Sequence, residues 1–504
     1  MSITIAGFSD TNKVPGFYGE VVYGAGPITA GSIPLTLLLC GNKLSTGSAT
    51  VDVSIKDILS TTDADTFFGA GSELAIQCYG ALQIPGVQIK AIASAEAGGA
   101  AAATATITLA GTYPPAAAGT FQYRIDGIPV AGSILSTDTL STAADSVVAA
   151  INAISTLSST AVKGAGAAYV ITVTRKSKGT RGNLGTLCQD TTLLPSGVTS
   201  AIAGGSALTN GGVFFTGGSG TDDVANVLTV LTPGTYDRIA CAQVDSTNLV
   251  KWRNWLNTQA GVLVGTRQHA VWCSNSSLAA ITSIAQTSVN APRMQALWYL
   301  NSETYPPYIA ATFMAKRTQV EQSDPDAAYD GYILPGVYPQ TAAADWATSD
   351  GTMISALNNS VTPIGTNMTG GAFIVRSITT KSLTSGGSPD YNTLDTSQAT
   401  TPDYCLLSAD LYWTTVYKPS NPKVAADPVN GQRDRPAGVA TPTRWNQELT
   451  ALAQNLESQL FIIDVDLNPP VSEYNATAKR IMTIWPIVSA PNQHQIGVSV
   501  RGAG

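Results

Sequence analysis

The feature that most constrains the fold is a regular alternation of short apolar runs with amphipathic runs in the middle of the chain. Strand-like and helix-like segments follow one another in the order 238–244 (strand), 249–258 (helix), 269–273 (strand), 277–289 (helix), 294–300 (strand) and 307–317 (helix). Such alternation is typical of βαβ units, in which parallel strands are joined by helices that cover the sheet. The sequence therefore predicts an α/β domain built on a largely parallel sheet.

The same pattern is present near the amino end. Residues 35–40 form an apolar run typical of a buried strand, and residues 87–92 alternate like a second strand. Between them, Ser72 is a suitable N-cap for an amphipathic helix. We therefore assign residues 32–96 and 213–375 to one α/β middle domain.

Residues 97–212 follow a different plan, beginning with a Gly/Ala tract and ending in a Gly-rich stretch. Short strands are predicted at 104–109, 119–125 and 169–174, with a hairpin turn at Asp126-Gly127 and one amphipathic helix at 144–154. This segment is expected to form a β-rich domain inserted into the α/β domain, and we call it the inserted segment.

The α/β pattern resumes after Gly220. Thr221 is expected to cap a helix whose first turn contains Asp222 and Asp223, where the helix dipole favours acidic side chains. Pro233-Gly234 is expected to end that helix.

A C-terminal α+β domain is predicted at 376–488. Thr441 is a good N-cap and Pro442 a good first helical residue. The apolar face of this last helix is predicted to comprise Trp445, Leu449, Leu452, Ala453, Leu456 and Leu460. Strands are expected at 373–379, 461–467, 480–485 and 495–500.

Both ends of the chain are expected to be extended arms, at 1–31 and 489–504. Glycines and prolines flank the extended run 17–23, and the run 495–500 ends almost at the terminus. Neither run has an evident partner in its own domain. An unpaired strand edge promotes aggregation of a monomeric protein, whereas in an assembly it can pair with a strand of a neighbouring subunit.

Charge is scarce: 12% of the residues are Asp, Glu, Lys or Arg, about half of what is usual in globular proteins. The formal net charge of −7 argues against nucleic-acid binding, which requires a basic face. The amino end shows no signal peptide, and no early apolar run approaches the ~20 residues of a membrane helix. Because charged residues are few, electrostatic repulsion between copies of the chain is expected to be weak, which is compatible with a protein that works in an assembly.

The six cysteines occur without a C-x-x-C pair, which favours neither a zinc site nor a disulfide scaffold. Two interpretations stay open. The thiols are buried and reduced in a protein made in a cytoplasm, or some of them cross-link subunits in an oxidising medium.

No catalytic pattern is found. The two histidines, His269 and His494, are isolated, and no nucleophile elbow, Walker A loop or dinucleotide fingerprint is present. Asp464 and Asp466 are expected on one solvated strand face. The basic residues Arg175, Lys176, Lys178 and Arg181 indicate a local contact or a solvated loop. We therefore expect a protein that is not an enzyme and that has no catalytic residue, metal or cofactor.

Several motifs together resemble the contractile tail sheath protein of myophages, in the Mu-like branch. They are Val14-Pro-Gly-Phe-Tyr18, Phe68-Gly-Ala-Gly-Ser-Glu-Leu74, the stretch from Tyr123-Arg-Ile-Asp-Gly-Ile-Pro-Val130 to Arg175-Lys-Ser-Lys-Gly-Thr-Arg-Gly-Asn183, Ile378-Thr-Thr-Lys-Ser-Leu383, Pro389-Asp-Tyr-Asn-Thr-Leu-Asp395 and Ala440-Thr-Pro-Thr-Arg-Trp-Asn-Gln-Glu-Leu449. Their order and spacing cover nearly the whole chain. The last fifty residues are longer and richer in proline than the family pattern.

The resemblance implies a structural protein of the virion, made in the cytoplasm of a host bacterium. Its copies stack as rings around the tail tube in an extended, high-energy state, and contraction drives the tube through the host envelope. Implied partners are neighbouring sheath subunits, the tail tube protein, the baseplate and the tail terminator, with no nucleic acid and no membrane insertion.

The resemblance also implies roles for particular residues. Terminal strands are exchanged between subunits, and the corresponding residues are Phe17, Tyr18, Val21, Val22, Tyr23, Gln495, Ile496, Val498 and Val500. The inserted segment would face outward and the C-terminal domain would face the tube. Arg444, Glu448 and Glu457 on the last helix are then the candidates for tube contact, and a solvated helix face is an equally good interpretation of these three.

Other functions are considered alongside this one. The sheath of a related contractile injection system, of the bacteriocin or secretion type, shares the mechanism and would be separated by gene context. A secreted surface adhesin is disfavoured because no signal peptide is seen. A hydrolase on the α/β domain is disfavoured because histidine is scarce and nucleophile motifs are missing.

Overall fold

The computed structural model describes residues 34–167, 169–232, 234–340, 352–367, 369–418, 423–430, 432–436 and 438–492. Its architecture is multidomain and mixed α/β, as predicted. The predicted amino-terminal arm at 1–31 and the predicted strand at 495–500 lie outside the described residues. Among those that are described, no helix combines the length and apolar composition that crossing a bilayer requires.

Five elements precede the inserted segment: β1 (Thr36–Asn42), β2 (Ile55–Ile58), α1 (Thr61–Phe68), α2 (Glu73–Ala81) and β3 (Gln88–Ser94). β1, α2 and β3 confirm the sequence pattern. The Ser72 hydroxyl caps α2 by accepting a hydrogen bond from the amide of Ala75 at 3.0 Å. Gly69-Ala-Gly-Ser72 thus connects α1 to α2, and the N-cap predicted at Ser72 is confirmed.

The inserted segment forms two four-stranded antiparallel sheets. Its elements are β4 (Thr104–Gly111), β5 (Gly119–Ile125), β6 (Ile128–Ile134), α3 (Leu140–Ala153), β7 (Ser159–Lys163), β8 (Val170–Arg175), β9 (Thr186–Asp190) and β10 (Val198–Ala203). A further strand, β11 (Val213–Phe214), follows directly on the predicted boundary at 212 and completes the second sheet by pairing with β9. The strand orders are β10-β4-β8-β7 and β11-β9-β5-β6. Asp126 and Gly127 both have positive φ, at 52° and 77°, which makes the tight turn that joins β5 to β6. Ala144, Val147 and Ile151 of α3 are buried in the core between these sheets.

The middle of the chain continues the α/β pattern. Its elements are α4 (Ala225–Leu231), β12 (Arg238–Cys241), α5 (Ser246–Gln259), β13 (His269–Ser274), α6 (Leu278–Thr282), β14 (Met294–Trp298), α7 (Pro306–Glu321), α8 (Thr352–Asn358), β15 (Thr362–Thr366) and β16 (Ala372–Ile374). A π-helical stretch, Ser283–Val289, prolongs α6.

These strands join β1, β2 and β3 in one eight-stranded sheet of order β16-β15-β14-β13-β12-β1-β3-β2. The six inner strands are parallel, and the edge strands β2 and β16 are antiparallel to their neighbours. Because side chains alternate across a strand, Leu37 and Leu39 enter the core under α1, α2 and α7 while Leu38 and Cys40 enter the core under α4 and α5. The predicted parallel sheet is confirmed.

The helix cap predicted at Thr221 is wrong. Thr221 does not cap a helix, because α4 begins at Ala225 and its N-cap, Val224, makes no side-chain bond. The reason is that Asp222 is held by Arg181, Ser94 and Gln243 in a buried cluster, so the chain cannot start a helix there.

The strand predicted at 373–379 is short and ends at Ile374. Beyond it, polar contacts replace the strand ladder. The Arg376 guanidinium pairs with Asp395 at 2.7 Å, and the amide of Ile378 donates to the Thr362 hydroxyl at 3.0 Å.

The C-terminal part contains α9 (Thr396–Tyr412), β17 (Lys423–Val424), β18 (Val439–Ala440), α10 (Pro442–Ser458), β19 (Val471–Asn475) and β20 (Arg480–Ile484). A π-helical stretch, Trp413–Tyr417, prolongs α9. Thr441 caps α10 as predicted, accepting from the amide of Arg444 at 3.4 Å. On the predicted apolar face, four residues are buried: Trp445, Leu449, Ala453 and Leu456.

Leu460 does not belong to that face, since α10 ends at Ser458 and Leu460, at φ 59°, is 75% exposed. The strand predicted at 461–467 is also wrong. Asp464 adopts a left-handed conformation with φ 62°, and a 3-10 turn, Val465–Leu467, follows it. Asp464 and Asp466 are both exposed and do not share a strand face.

Candidate functional site

A buried cluster around Arg181 connects the inserted segment to the eight-stranded sheet. Arg181 lies in a 3-10 turn, Thr180–Leu184, and is 5% exposed. Its Nε and Nη2 donate to the two carboxylate oxygens of Glu73 at 2.8 and 2.7 Å. It also pairs with Asp222 and donates to the side-chain oxygen of Asn42. The planar guanidinium thus satisfies both carboxylates with several directed bonds.

The partners of Arg181 come from separate parts of the fold. Asn42 ends β1, Glu73 opens α2, and Asp222 lies just ahead of α4. Tyr305, at the start of α7, donates its hydroxyl to Glu73 at 2.9 Å. Burial by itself would raise the pKa of Asp222, but the charge and hydrogen bonds of Arg181 hold that pKa below its ordinary value. The cluster therefore fastens the inserted segment to β1, to α2 and to the segment ahead of α4.

A second buried arginine, Arg175, reinforces the junction. It pairs with Asp126 of the β5–β6 turn and donates to the Ser158 hydroxyl at 2.8 Å. Its guanidinium carbon lies 4.3 Å from the centre of the Tyr305 ring, which is cation–π geometry. Tyr305 therefore contacts both arginine clusters. Removing either arginine would leave a buried carboxylate without its cation.

Arg124 of β5 makes a third connection. Its Nε and Nη2 donate to Glu303 at 2.7 and 3.0 Å, in a bidentate pair, and Asn210 donates to the same carboxylate at 2.6 Å. Glu303 precedes α7 and is 2% exposed. Three arginines of the inserted segment thus bind residues of the sheet domain, so the two parts are expected to move as one body.

The basic residues at 175–181 make local contacts, which confirms one of the two predicted interpretations. Lys176 donates to the carbonyl oxygens of Ala70 and Ser155 at 3.2 and 2.6 Å. The backbone amide of Lys178 donates to Glu96 at 2.9 Å. The two arginines are buried, so this group does not present a basic surface.

A buried charged group also connects α9 to the sheet. Asp403 is 7% exposed and pairs with Arg293, and His269 Nε2 lies 2.8 Å from its carboxylate. Burial, together with the nearby Arg238 and Arg293, lowers the pKa of His269 to about 4. The imidazole is therefore neutral at pH 7, and its Nε2–H donates to Asp403. A neutral, buried imidazole paired in this way has a packing role. His494 lies outside the described residues.

The three candidates for tube contact on α10 all make contacts within the chain. Arg444 donates to the carbonyl oxygens of the preceding loop at Arg435, Pro436 and Val439, at 2.6 to 2.8 Å. Glu448 accepts from the Tyr412 hydroxyl, and Glu457 accepts from the amide of Val465 at 3.2 Å. The tube contact itself stays a prediction.

The exposed side of α10 borders a shallow groove of about 360 Å³. The groove is lined by uncharged residues of α10 between Thr443 and Gln454 and by Pro469 and Pro470. Hydroxyls, amides and proline rings form hydrogen bonds and van der Waals contacts but no ion pairs. A contact made through this groove would therefore depend only weakly on salt.

Among the described residues, no group of three or more His, Cys, Asp or Glu side chains is arranged to hold a metal ion. All six cysteines are buried, and no disulfide joins them. Burial raises the pKa of five of these thiols, Cys40, Cys78, Cys188, Cys241 and Cys273, and the value for Cys188 is about 12. They are inert thiols in this fold, as the first interpretation of the cysteines predicts.

Comparison with family models and with curated proteins finds no match. Solved structures show similarity over most of the chain. The sheath tail protein from Desulfitobacterium hafniense is 11% identical, covering 94% of this chain and 97% of that one, with a TM-score of 0.48. A sheath tail protein from Listeria innocua is 12% identical, covering 92% and 94%, with a TM-score of 0.48.

A chain in the anti-feeding prophage baseplate is 9% identical, covering 98% of this chain and 100% of that one, with a TM-score of 0.49.

Proposed function

We propose that this chain is the structural subunit of a contractile sheath, and specifically of a phage tail sheath. Copies would stack as rings around a tail tube in a metastable extended state. Contraction would then drive the tube through the host envelope during genome delivery. The domain division given above, with the inserted segment outside and residues 376–488 toward the tube, is part of this proposal.

One observation carries the proposal: motifs that resemble the sheath family are far apart in sequence but contact one another in the fold. Phe68–Leu74 and Arg175–Asn183 meet through the Glu73–Arg181 pair, and the amide of Glu73 also donates to Ser177 at 3.0 Å. Because the two motifs are in direct contact, they form one structural unit. This supports the interpretation that their resemblance to the sheath family is not a chance similarity of short sequences.

A second pair of motifs, at 378–383 and 389–395, is close in sequence and is also hydrogen-bonded together in the fold. The amide of Thr379 donates to the carbonyl of Leu394 at 2.8 Å, and its hydroxyl donates to the carbonyl of Thr393 at 2.6 Å. The amide of Asp390 donates to the carbonyl of Ser382 at 2.7 Å. The resemblance therefore extends to segments that pair in space, which supports the family assignment made from sequence.

The charged junctions suit the mechanical role. A sheath subunit that rotates during contraction must carry its outer part with it. The ion pairs of Arg181 and Arg124 fasten the inserted segment to the sheet domain, and Arg175 contacts the same domain through the ring of Tyr305. Asp403 fastens α9. Buried ion pairs with several hydrogen bonds lose much free energy when separated, so they favour motion of the whole subunit over motion within it.

The hairpin of β19 and β20 suits strand addition between copies. In the part of the chain that the structure describes, these two strands pair only with each other. Val471 and Ile484 are cross-strand partners and are 55% and 51% exposed. An added strand at the open edge of this hairpin would supply main-chain hydrogen bonds and cover apolar side chains.

We propose that the added strands come from the arms of neighbouring copies. The residues concerned are those named above, Phe17 to Tyr23 and Gln495 to Val500, which lie outside the described residues. The proposal also places the tail tube protein against the C-terminal domain. Arg444, Glu448 and Glu457 would take part there only by giving up or sharing their contacts within the chain.

Negative-stain electron microscopy of the purified chain tests the proposal. The full-length protein is expected to form tubes built of stacked rings. A chain ending at Asn492 is expected to fold but not to form tubes, and a chain ending at Val500 serves as the matched control, since it keeps the predicted strand. Tubes of normal length from the chain ending at Asn492 would refute the role of the carboxyl arm.

A further inference from the structure

The loop after α7 contains a buried carboxyl group, Asp326, that the proposed function does not use. Asp326 is 6% exposed. The Thr401 hydroxyl of α9 donates to its Oδ1 at 3.1 Å, and the Thr400 hydroxyl donates to the carbonyl of Pro325 at 2.6 Å. The loop is therefore held against the first turns of α9.

The same loop anchors the start of the carboxyl arm. The side-chain amide of Asn492 donates to the backbone carbonyl of Asp326 at 2.7 Å and to the Ser397 hydroxyl at 3.3 Å. Two residues earlier, the amide of Ala490 donates to the carbonyl of Phe461 at 3.1 Å. Asn492 is followed directly by residues 493–504, which contain the predicted exchange strand. The attachment of that arm thus depends on the position of Asp326.

The charges that face Asp326 are mostly negative. Asp324, on the same loop, accepts from the amide of Asp326 at 3.2 Å, and Asp395 is the N-cap of α9. Asp395 is engaged by Arg376, and no ion pair involves Asp326 among the described residues. Burial first, and then Asp324 and Asp395, raise the pKa of Asp326 to about 7, against the opposing bonds from Thr401 and Ser397.

We propose that Asp326 and Asn492 form a pH-dependent latch: with a neutral Asp326 the loop stays against α9 and holds the base of the carboxyl arm, and ionisation of Asp326 loosens it. The latch is a geometric unit of one loop, one helix end and one arm base. Its regulatory meaning rests on the proposed function, because release of the arm would make the exchange strand available to a neighbouring copy.

The direction of the pH effect follows from linkage. When the latch opens, Asp326 enters water and its pKa returns to the ordinary value near ~4. Because the closed state has the higher pKa, the latch is most stable at acidic pH, and its stability is lost as the pH rises from the open-state pKa through the closed-state pKa. The ratio of closed to open latch is expected to fall about 50-fold between pH 5 and pH 7 and to change little above pH ~8.

Hydrogen exchange of the full-length chain, kept unassembled, measures this ratio. The protection factor of the peptide spanning 486–492 is expected to fall about 50-fold from pH 5 to pH 7 in the wild type. In the Asp326→Asn variant the protection factor of this peptide is expected to be the same at pH 5 and pH 7. In the Asn492→Ala variant it is expected to be low at both pH values. Asp464→Asn, a change of an exposed carboxylate, is the matched control and should behave as the wild type.

Thr401→Val provides a second variant that does not remove the carboxyl group. It deletes the hydroxyl that favours the ionised form, so the fall in protection should extend to higher pH. Equal protection at pH 5 and pH 7 in the wild type, or the same fall in Asp326→Asn, would overturn the latch. Microscopy of tubes is a separate readout. If microscopy shows tubes but hydrogen exchange shows no pH dependence, only the latch is refuted. If hydrogen exchange shows the pH dependence but no tubes form, the proposed function is refuted.

Discussion

Replacing Arg181 by methionine tests whether the inserted segment is fastened to the sheet by charge. The substitution keeps an unbranched apolar stem and removes the guanidinium cation. Glu73 and Asp222, at 3% and 6% exposure, then remain buried without a partner of opposite charge. Removing one member of a buried ion pair typically lowers the free energy of unfolding by about 3–5 kcal/mol. We expect Arg181→Met to lose this amount.

The triple variant Arg181→Met/Glu73→Gln/Asp222→Asn separates the charge effect from loss of packing. It removes all three charges while nearly keeping the volumes, and a buried ion pair replaced as a whole is often close to neutral. We expect the triple variant to recover most of the stability that the single variant loses. The coupling between the sites, obtained from the double-mutant cycle, should exceed ~1 kcal/mol.

Urea unfolding followed by tryptophan fluorescence provides the measurement, since Trp252, Trp272 and Trp298 are buried in the sheet domain. Lys90→Met is the matched control, because the Lys90–Asp57 pair lies at the surface and exposed pairs contribute about 0–1 kcal/mol. A loss below ~1 kcal/mol for Arg181→Met, or no recovery in the triple variant, would show that the cluster does not hold the two parts together.

Two further predictions follow from buried titratable groups. His269 has a pKa lowered to about 4, so its contribution to stability is complete above pH ~6.5 and is lost as the pH falls toward 4. Between pH 7 and pH 5 the wild type should lose about 2 kcal/mol more of unfolding free energy than His269→Gln, and equal losses in urea titrations would contradict the assignment. The cysteines are all buried and no disulfide joins them, so a thiol reagent should modify none of the six in the native protein and all six in urea. Fewer than six after denaturation without reductant would instead favour cross-linked cysteines.

The sequence predicted the elements whose signals are local. Ser72 and Thr441 have the hydroxyl that satisfies the first free amides of a helix, and both cap the expected helices. The alternating segments between 238 and 317 became the parallel strands and covering helices of one sheet. These features depend on periodicity within about 15 residues, which a single sequence displays directly.

The buried charged clusters could not be predicted in this way. Arg181 and Glu73 are 108 positions apart, and His269 and Asp403 are 134 apart. Nothing near either residue indicates its partner, since the pairing depends on how the whole chain folds. The error at Thr221 has the same origin, because Asp222 is taken up by a distant arginine rather than by the first turn of a helix.

The helix α9 was also missed, for a local reason. Its first turns are rich in threonine and serine, and Pro402 lies inside it, so its helix propensity is low. One signal was available. Asp395 and Gln398 form a capping box, with side chain and backbone bonded reciprocally, and their spacing marks the start of the helix.

A cryo-EM map of tubes assembled from the full-length chain tests the central claim most directly, namely that the ends of the chain join the sheet of another copy. We expect residues 495–500 of one subunit to lie beside β19 or β20 of a neighbouring subunit, with main-chain hydrogen bonds between them. A map in which both arms return to their own subunit, without contact to adjoining copies, would contradict it.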